Sequence, residues 1–258
     1  MLLKNKNAII YGAGGAIGGA VARAFAREGA KVFLAGRTLA KLDKVAKDIT
    51  AAGGGAETAQ VDAHDEHAID EHAAAVVAKS GRIDISFNAI EIKGTIQGIP
   101  ILEQSADDIC LPVKNRVATN FLTARAAARH MVRDGKGVIL MITATPARMA
   151  WPLTGSFGVE GAAIEGFCRS LASELGPQGV RVICLRSAGS PESFPDSAKD
   201  ETLGDRREEI AEMIAEMTLL KRPPTLAEVG KVAALMESVY ASPMTATVAN
   251  LTCGTIAD

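Results

Sequence analysis

The chain has 258 residues, of which 48% are hydrophobic, and a formal net charge of −2. This length suits one α/β domain with a large core, and the interspersed charges form no basic stripe, which argues against nucleic-acid binding. The scattered cysteines have no C-x-x-C spacing, which argues against disulfides and zinc and indicates a reducing compartment. The first residues lack a long apolar core. We therefore expect no signal peptide, no membrane partner and a cytoplasmic location.

The first forty residues predict a strand, a glycine-rich turn, a helix and a second strand. An apolar run over 7–11 is followed by a cluster of glycines, namely Gly12, Gly14, Gly15, Gly18 and Gly19. Ile17, Val21 and Phe25 then form one apolar helix face, and 31–36 is the next apolar run. Such a turn lets the backbone approach a pyrophosphate at a helix N-terminus. A tight turn without a ligand is the alternative, but the complete strand–turn–helix–strand context favours a dinucleotide site.

The end of the second predicted strand indicates which dinucleotide is bound. A carboxylate at this corner often binds the ribose 2′-hydroxyl, whereas this chain has Gly36 followed by Arg37. The Arg37 guanidinium suits a phosphate, so we predict NADP (NADPH) in preference to NAD. The alternative is that Arg37 is an ordinary solvated cation. Asp62, after the third predicted strand, is positioned to accept a hydrogen bond from the adenine amino group.

Strands and helices continue to alternate along the rest of the chain. We predict helices over 37–52, 66–80, from Val117 through Met131 and over 156–175, and strands over 57–61, 83–90, 137–143 and 179–185. This alternation predicts an α/β fold: a Rossmann-type, doubly wound parallel sheet with helices on both faces, in one domain over 1–258. Residues 190–224 interrupt the rhythm, and we expect them to cover the substrate, to be mobile without ligand, or both.

Three histidines lie among acidic residues at 62–72 and raise the question of a metal site. His64 and His67 can share a helix face, whereas His72 falls on another side. A solvated helix start, acidic near its positive dipole end, accounts for this cluster better than a metal site does. We predict no metal.

The chain resembles the short-chain dehydrogenase/reductase family over essentially its whole length. Residues 12–18 resemble that family's T-G-x-x-x-G-x-G turn, with Tyr11 in place of threonine and Ala16 in place of the middle glycine. Asn88 begins a segment that replaces the family's N-N-A-G, and Asn120 matches its active-site asparagine. The resemblance implies catalytic involvement of Asn120, and cofactor binding by Gly12, Gly14, Gly15, Ile17, Gly18, Arg37, Asp62 and Asn88.

The family's catalytic serine, tyrosine and lysine have no counterparts here. The segment over 162–167 resembles the one that follows the family's Y-x-x-x-K, and this register places Phe157 at the tyrosine and Gly161 at the lysine. Ala144 falls at the serine position. In the family, tyrosine exchanges the proton, lysine lowers the tyrosine pKa and holds the ribose, and serine orients the substrate oxygen. Losing a positioned general acid costs about 10²–10⁴ in rate, which argues against ordinary ketone reduction.

Three functions remain compatible with this pattern. The leading one is an oxidoreductase acting on an activated small molecule, such as an iminium or an enone, or using another proton donor: Ser156, Glu160, Thr143, Thr145 or Glu91. The second is a non-redox step on a nucleotide scaffold. The third is an inactive sensor or a partner subunit in a mixed oligomer. The resemblance also implies a homo-oligomer, tetramer or dimer, joined through the helix over 156–175.

Overall fold

A sheet of seven parallel strands forms the centre of the molecule. The computed structural model describes residues 1–193 and 207–257. Its strands are β1 (Asn7–Tyr11), β2 (Lys31–Gly36), β3 (Gly55–Gln60), β4 (Ile85–Asn88), β5 (Gly137–Ala144), β6 (Val180–Ser187) and β7 (Thr247–Leu251). They lie in the order β3-β2-β1-β4-β5-β6-β7, and every neighbouring pair is parallel. The predicted doubly wound sheet is confirmed.

Helices cover both faces of this sheet, as predicted. They are α1 (Ala16–Arg27), α2 (Leu39–Ala51), α3 (Glu66–Ser80), α4 (Ala106–Asp134), α5 (Phe157–Leu175), α6 (Arg207–Met217) and α7 (Leu226–Glu237). Successive strand residues point to opposite faces: Ile10 packs in the core under α1, α2 and α7, and Ile9 packs in the core under α3, α4 and α5. Two buried layers therefore fix the strand ends that carry the site.

Helix α4 is longer than its apolar pattern predicts. The Ser105 side chain accepts from the Asp108 N–H, and the Asp108 carboxylate accepts from the Ser105 N–H. This capping box starts the helix well before Val117. The helix continues through Pro112 and ends at Gly135, which has a positive φ of 63°. The helix therefore extends well beyond Asn120 in both directions.

Several strand limits differ from the prediction. Strand β4 spans only 85–88, because the Asn88 Oδ1 accepts the Ile90 N–H and turns the chain. Strand β6 extends to Ser187, which pairs with Leu251 of β7. Cys253 and Gly254 follow β7 in a turn, with φ of 54° and 87°. Left-handed backbone cannot continue a strand.

The segment over 190–224 is described only in part. Helix α6 begins at residue 207 in the described part of the chain, and residues 194–206 lie outside that part. Covering of a substrate by this segment therefore stays a prediction. None of the described helices is long and apolar enough to cross a membrane.

Candidate active site

A cleft lies where the strand order reverses, at the carboxyl ends of β1 and β4. Its walls are the glycine turn after β1, the end of β2, and the chain that follows β4. In doubly wound sheets the ligand crevice lies at this switch point. The predicted nucleotide-binding residues are therefore brought to one edge of the sheet.

The glycine turn has backbone packing that side chains would prevent. Gly12 has a φ of +79°, and a Cβ there would lie 2.5 Å from the Ala89 carbonyl oxygen. A Cβ on Gly18 would overlap the Gly12 carbonyl oxygen. Gly15, the N-cap of α1, provides no side-chain cap, so the first-turn N–H groups, which have no acceptor within the helix, are left for an anion. This cradle fits a dinucleotide pyrophosphate.

Two other predicted turn residues have distinct roles. Gly14 lines the cleft, and a Cβ there would lie 2.9 Å from the Cβ of Lys41. Ile17 is half-buried, and its side chain packs against the core under α1. Ile17 can therefore offer a ligand its backbone N–H, while its side chain fixes the helix.

The β2 end of the cleft carries two cations. Arg37 is exposed and lines the cleft with Lys41. The Gln60 Nε2 donates to the Arg37 carbonyl oxygen at 3.1 Å, which fixes the backbone at this corner. Sequence reasoning missed Lys41, although its spacing of four residues from Arg37, beside the start of α2, is a usable signal.

Asp62 and Asn88 occupy different environments. Asp62 is exposed on the cleft wall, and its Oδ1 accepts the His64 N–H at 3.0 Å. Asn88 is buried, and its Nδ2 donates to the Thr119 carbonyl at 3.1 Å and to the Thr123 Oγ1 at 2.9 Å. The Asn88 side chain thus ties β4 to α4 and shapes the cleft from below.

Asn120 lies on α4 and is also buried. Its Nδ2 donates to the Arg116 carbonyl oxygen at 2.9 Å. Its Oδ1 is buried and has no hydrogen-bond partner among the described residues. The Asn120 side chain is therefore held by the preceding turn of its own helix.

The edge formed by β5 and α5 is closely packed. Ala144 ends β5, and the following short turn over 145–147 lies against α5. A Cβ on Gly158 would lie 2.8 Å from the Pro146 carbonyl oxygen, and one on Gly161 would lie 2.7 Å from the Cβ of Ala147. The turn therefore occupies the space that a side chain at 161 would need. Phe157, the first residue of α5, is half-buried.

A buried carboxylate lies beside this packing. Glu160 is 1% exposed, and its Oε1 accepts from the Ser156 Oγ and from the Thr95 Oγ1, each at 2.8 Å. Its Oε2 lies 3.3 Å from the Arg116 Nε. Ser156 and Glu160 are therefore hydrogen-bonded to each other, and neither lines the cleft.

The remaining candidate proton donors divide into buried and accessible groups. The buried Thr143 donates to the Glu165 Oε1 at 3.0 Å, and Glu165 forms a bidentate ion pair with Arg186, both distances 2.8 Å. Thr145 is half-buried at the end of β5, and Glu91 is exposed on the cleft wall. Among the five candidates, only Thr145 and Glu91 remain at the surface.

One histidine of the cluster over 62–72 is not solvated as predicted. His67 is exposed and pairs with Glu71 at 3.0 Å. The His72 ring instead packs edge-on against the buried ring of Tyr11 at 5.9 Å, and burial lowers the pKa of His72 to about 4. Burial also raises the pKa of the Tyr11 hydroxyl. Within residues 1–193 and 207–257, no group of three His, Cys, Asp or Glu side chains could hold a metal ion.

The fold and the glycine cradle define a dinucleotide-binding protein of Rossmann type, and comparisons with known proteins agree. Residues 12–255 match the family model described as enoyl-(acyl carrier protein) reductase. An oxidoreductase, AsL5, of Sarocladium schorii is 30% identical over 95% of this chain and 93% of its own length. Gluconate 5-dehydrogenase of Gluconobacter oxydans (strain 621H) is 30% identical over 70% of this chain and 69% of its own.

A solved structure extends the agreement to the whole fold. A dehydrogenase/reductase from Sinorhizobium meliloti 1021 superimposes with a TM-score of 0.85 at 25% identity, over 99% of this chain and 96% of the other. The chain belongs to the short-chain dehydrogenase/reductase family. Proteins of this family are oxidoreductases that bind nicotinamide dinucleotides and act on small molecules.

Proposed function

We propose that this chain is an NADP(H)-dependent oxidoreductase that transfers hydride to or from an activated small molecule without a tyrosine–lysine relay. The observation that carries the nucleotide preference is the pair of cations, Arg37 and Lys41, at the end of β2. No carboxylate occupies positions 35–38. Two cations favour an additional phosphate, whereas a 2′-hydroxyl is usually bound by an acid at this corner.

The described residues give the bound dinucleotide defined contacts. The exposed N–H groups at the start of α1 suit the pyrophosphate, Arg37 and Lys41 suit the 2′-phosphate, and Asp62 suits the adenine amino group. When bound, NADPH supplies a hydride to an electrophilic carbon. The chain's own task is then to hold the reactants and to exclude water.

The packing of α5 supports an activated substrate. With Phe157, Gly161 and Ala144 aligned at the family's tyrosine, lysine and serine, these positions offer neither a proton nor a cation. Thr145 and Glu91 are the accessible polar groups, and neither forms a relay in the described structure. An iminium becomes a neutral amine on accepting hydride and needs no proton in that step. An enone becomes an enolate, which takes its proton from water after hydride transfer is complete. The family description as an enoyl reductase supports an activated alkene in particular.

Nucleotide binding tests this proposal. We expect NADPH to bind at least tenfold more tightly than NADH when nicotinamide fluorescence is followed, because a hydrogen bond to a charged group contributes about 1.5–3 kcal/mol. Arg37→Met and Lys41→Met should each weaken NADPH and leave NADH nearly unchanged. Lys44→Met is the matched control, since Lys44 is an exposed residue of α2 outside the cleft. Equal affinities for the two dinucleotides in the native chain would contradict the proposal.

We also propose that the chain assembles as a homo-oligomer, a tetramer or a dimer, through α4 and α5. Large apolar side chains on these helices are exposed: Leu111, Phe121 and Val159 are 52%, 42% and 50% exposed. Burial of these side chains against a second copy of the chain would remove their apolar area from water. Light scattering should give a mass of at least twice 26.8 kDa, and Val159→Glu should lower it. A monomer at micromolar concentration would contradict this assembly.

A further inference from the structure

Helix α4 places a cation next to the β4 side of the cleft, and the proposed function leaves this cation unused. Arg116 projects from α4 one turn before Asn120, and its side chain is 17% exposed. Its Nη1 donates to the Ile90 carbonyl oxygen at 2.7 Å, and Ile90 lines the cleft. We propose that Arg116 binds the nicotinamide–ribose half of the dinucleotide, and that Glu160 is its positioning residue. This inference rests on the proposed function.

The strand order places Arg116 at the half of the cleft opposite Arg37. Strand β1, with its glycine turn, lies between β2 and β4. A dinucleotide bound across the switch point places its pyrophosphate at the turn and one nucleoside on each side. Arg37 follows β2 and Ile90 follows β4. A nucleotide with its 2′-phosphate at Arg37 therefore extends its other half towards Ile90 and Arg116.

The contacts of Glu160 hold the Arg116 guanidinium in a fixed position. Ser156 and Thr95 both donate to Oε1, so Oε2 is left for the Arg116 Nε at 3.3 Å. Nη1 is committed to the Ile90 carbonyl, while Nη2 makes no hydrogen bond to the described part of the chain. A guanidinium fixed at two nitrogens with a third available loses little side-chain entropy on binding a ligand oxygen.

The packing around α5 explains why the cation comes from another helix. Because a Cβ at Gly161 would lie 2.7 Å from the Cβ of Ala147, the turn over 145–147 leaves no room for a lysine there. The resemblance assigns ribose binding to a lysine at 161. Arg116 supplies the positive charge to the same region of the cleft from α4.

A fragment comparison tests the role of Arg116. Adenosine 2′,5′-bisphosphate contains the adenine half of NADPH and lacks the nicotinamide half. Arg116→Met should raise the Kd for NADPH about tenfold and leave the Kd for the bisphosphate unchanged. Arg116→Lys should retain part of the NADPH affinity, and Glu160→Gln should weaken NADPH about threefold without affecting the bisphosphate. A purely structural effect would weaken both ligands.

Arg129→Met is the matched control for this test. Arg129 lies on the same helix, is 51% exposed and pairs with Asp70, so its loss should leave both Kd values unchanged. Equal weakening of NADPH and the bisphosphate by Arg116→Met, or no weakening of either, would overturn the role of Arg116 alone. A native chain that binds neither ligand would overturn this role and the proposed function together.

Discussion

Glycine has opposite effects in two regions of the molecule, the turn after β1 and the start of α5. In the turn after β1, Gly12 and Gly18 let backbone segments approach each other, and the N–H groups at the start of α1 stay exposed. At α5, Gly158 and Gly161 instead let the turn over 145–147 approach the helix. The absence of side chains at these glycines therefore leaves room for a ligand in the turn after β1, whereas at α5 it allows dense packing against the turn over 145–147. A side chain at position 161 would have no space beside Ala147.

The largest expected effect comes from adding a side chain to the glycine turn after β1. Gly18→Ala places a Cβ against the Gly12 carbonyl oxygen, which forces the turn apart. We expect NADPH affinity to fall at least a hundredfold, with about 2–4 kcal/mol of lost stability. Isothermal titration and denaturant unfolding measure the two effects.

Gly166→Ala is the matched control for Gly18→Ala. Gly166 is also helical, and the nearest atom to its added Cβ is a flexible Arg169 nitrogen at 3.9 Å. This change should leave binding intact and stabilise α5 by roughly 0.5–1 kcal/mol. Equal NADPH affinities and equal stabilities of the two variants would show that Gly18 behaves like any other helical glycine.

An intermediate effect is expected from adding a single methyl group where α5 packs against the turn over 145–147. Gly161→Ala brings its Cβ to 2.7 Å from that of Ala147 and should cost about 1–3 kcal/mol by overpacking. Thermal unfolding should show rescue by a second change, Ala147→Gly, which removes the opposing methyl. Additive losses in the double variant would show that the turn does not fill this space.

The smallest expected effect concerns acid sensitivity beneath the cradle. The folded-state pKa of His72 is about 4, below its ordinary value of 6.5, because of burial. The unfolded chain therefore binds more protons between these values, and stability falls as the pH drops. From pH 8 to pH 6 the loss is about 1 kcal/mol.

The variant His72→Leu tests this acid sensitivity, since it removes the titrating group beside Tyr11. Urea unfolding at several pH values should give a flatter stability profile for the variant between pH 8 and pH 6. An unchanged slope would show that other groups set the acid response.

The sequence predicted the glycine turn and its flanking strands better than it predicted the packing of α5. Over residues 7–36 the apolar runs and the glycines follow one another closely in the chain, so the order of strand, turn and helix can be predicted from the local sequence. The packing of Gly161 on Ala147 and the burial of His72 against Tyr11 join segments far apart in the chain, which periodicity does not report. Arg116 was missed for the same reason, since its partners Ile90 and Glu160 come from other elements.

The most direct test of the central claim is NADPH oxidation by the purified chain, with an enone compared with the matching saturated ketone. We expect NADPH to bind, the enone to be reduced and the ketone to remain unreduced, because α5 and the turn over 145–147 supply no proton relay. Reduction of the ketone at a rate comparable to that of the enone would contradict the claim.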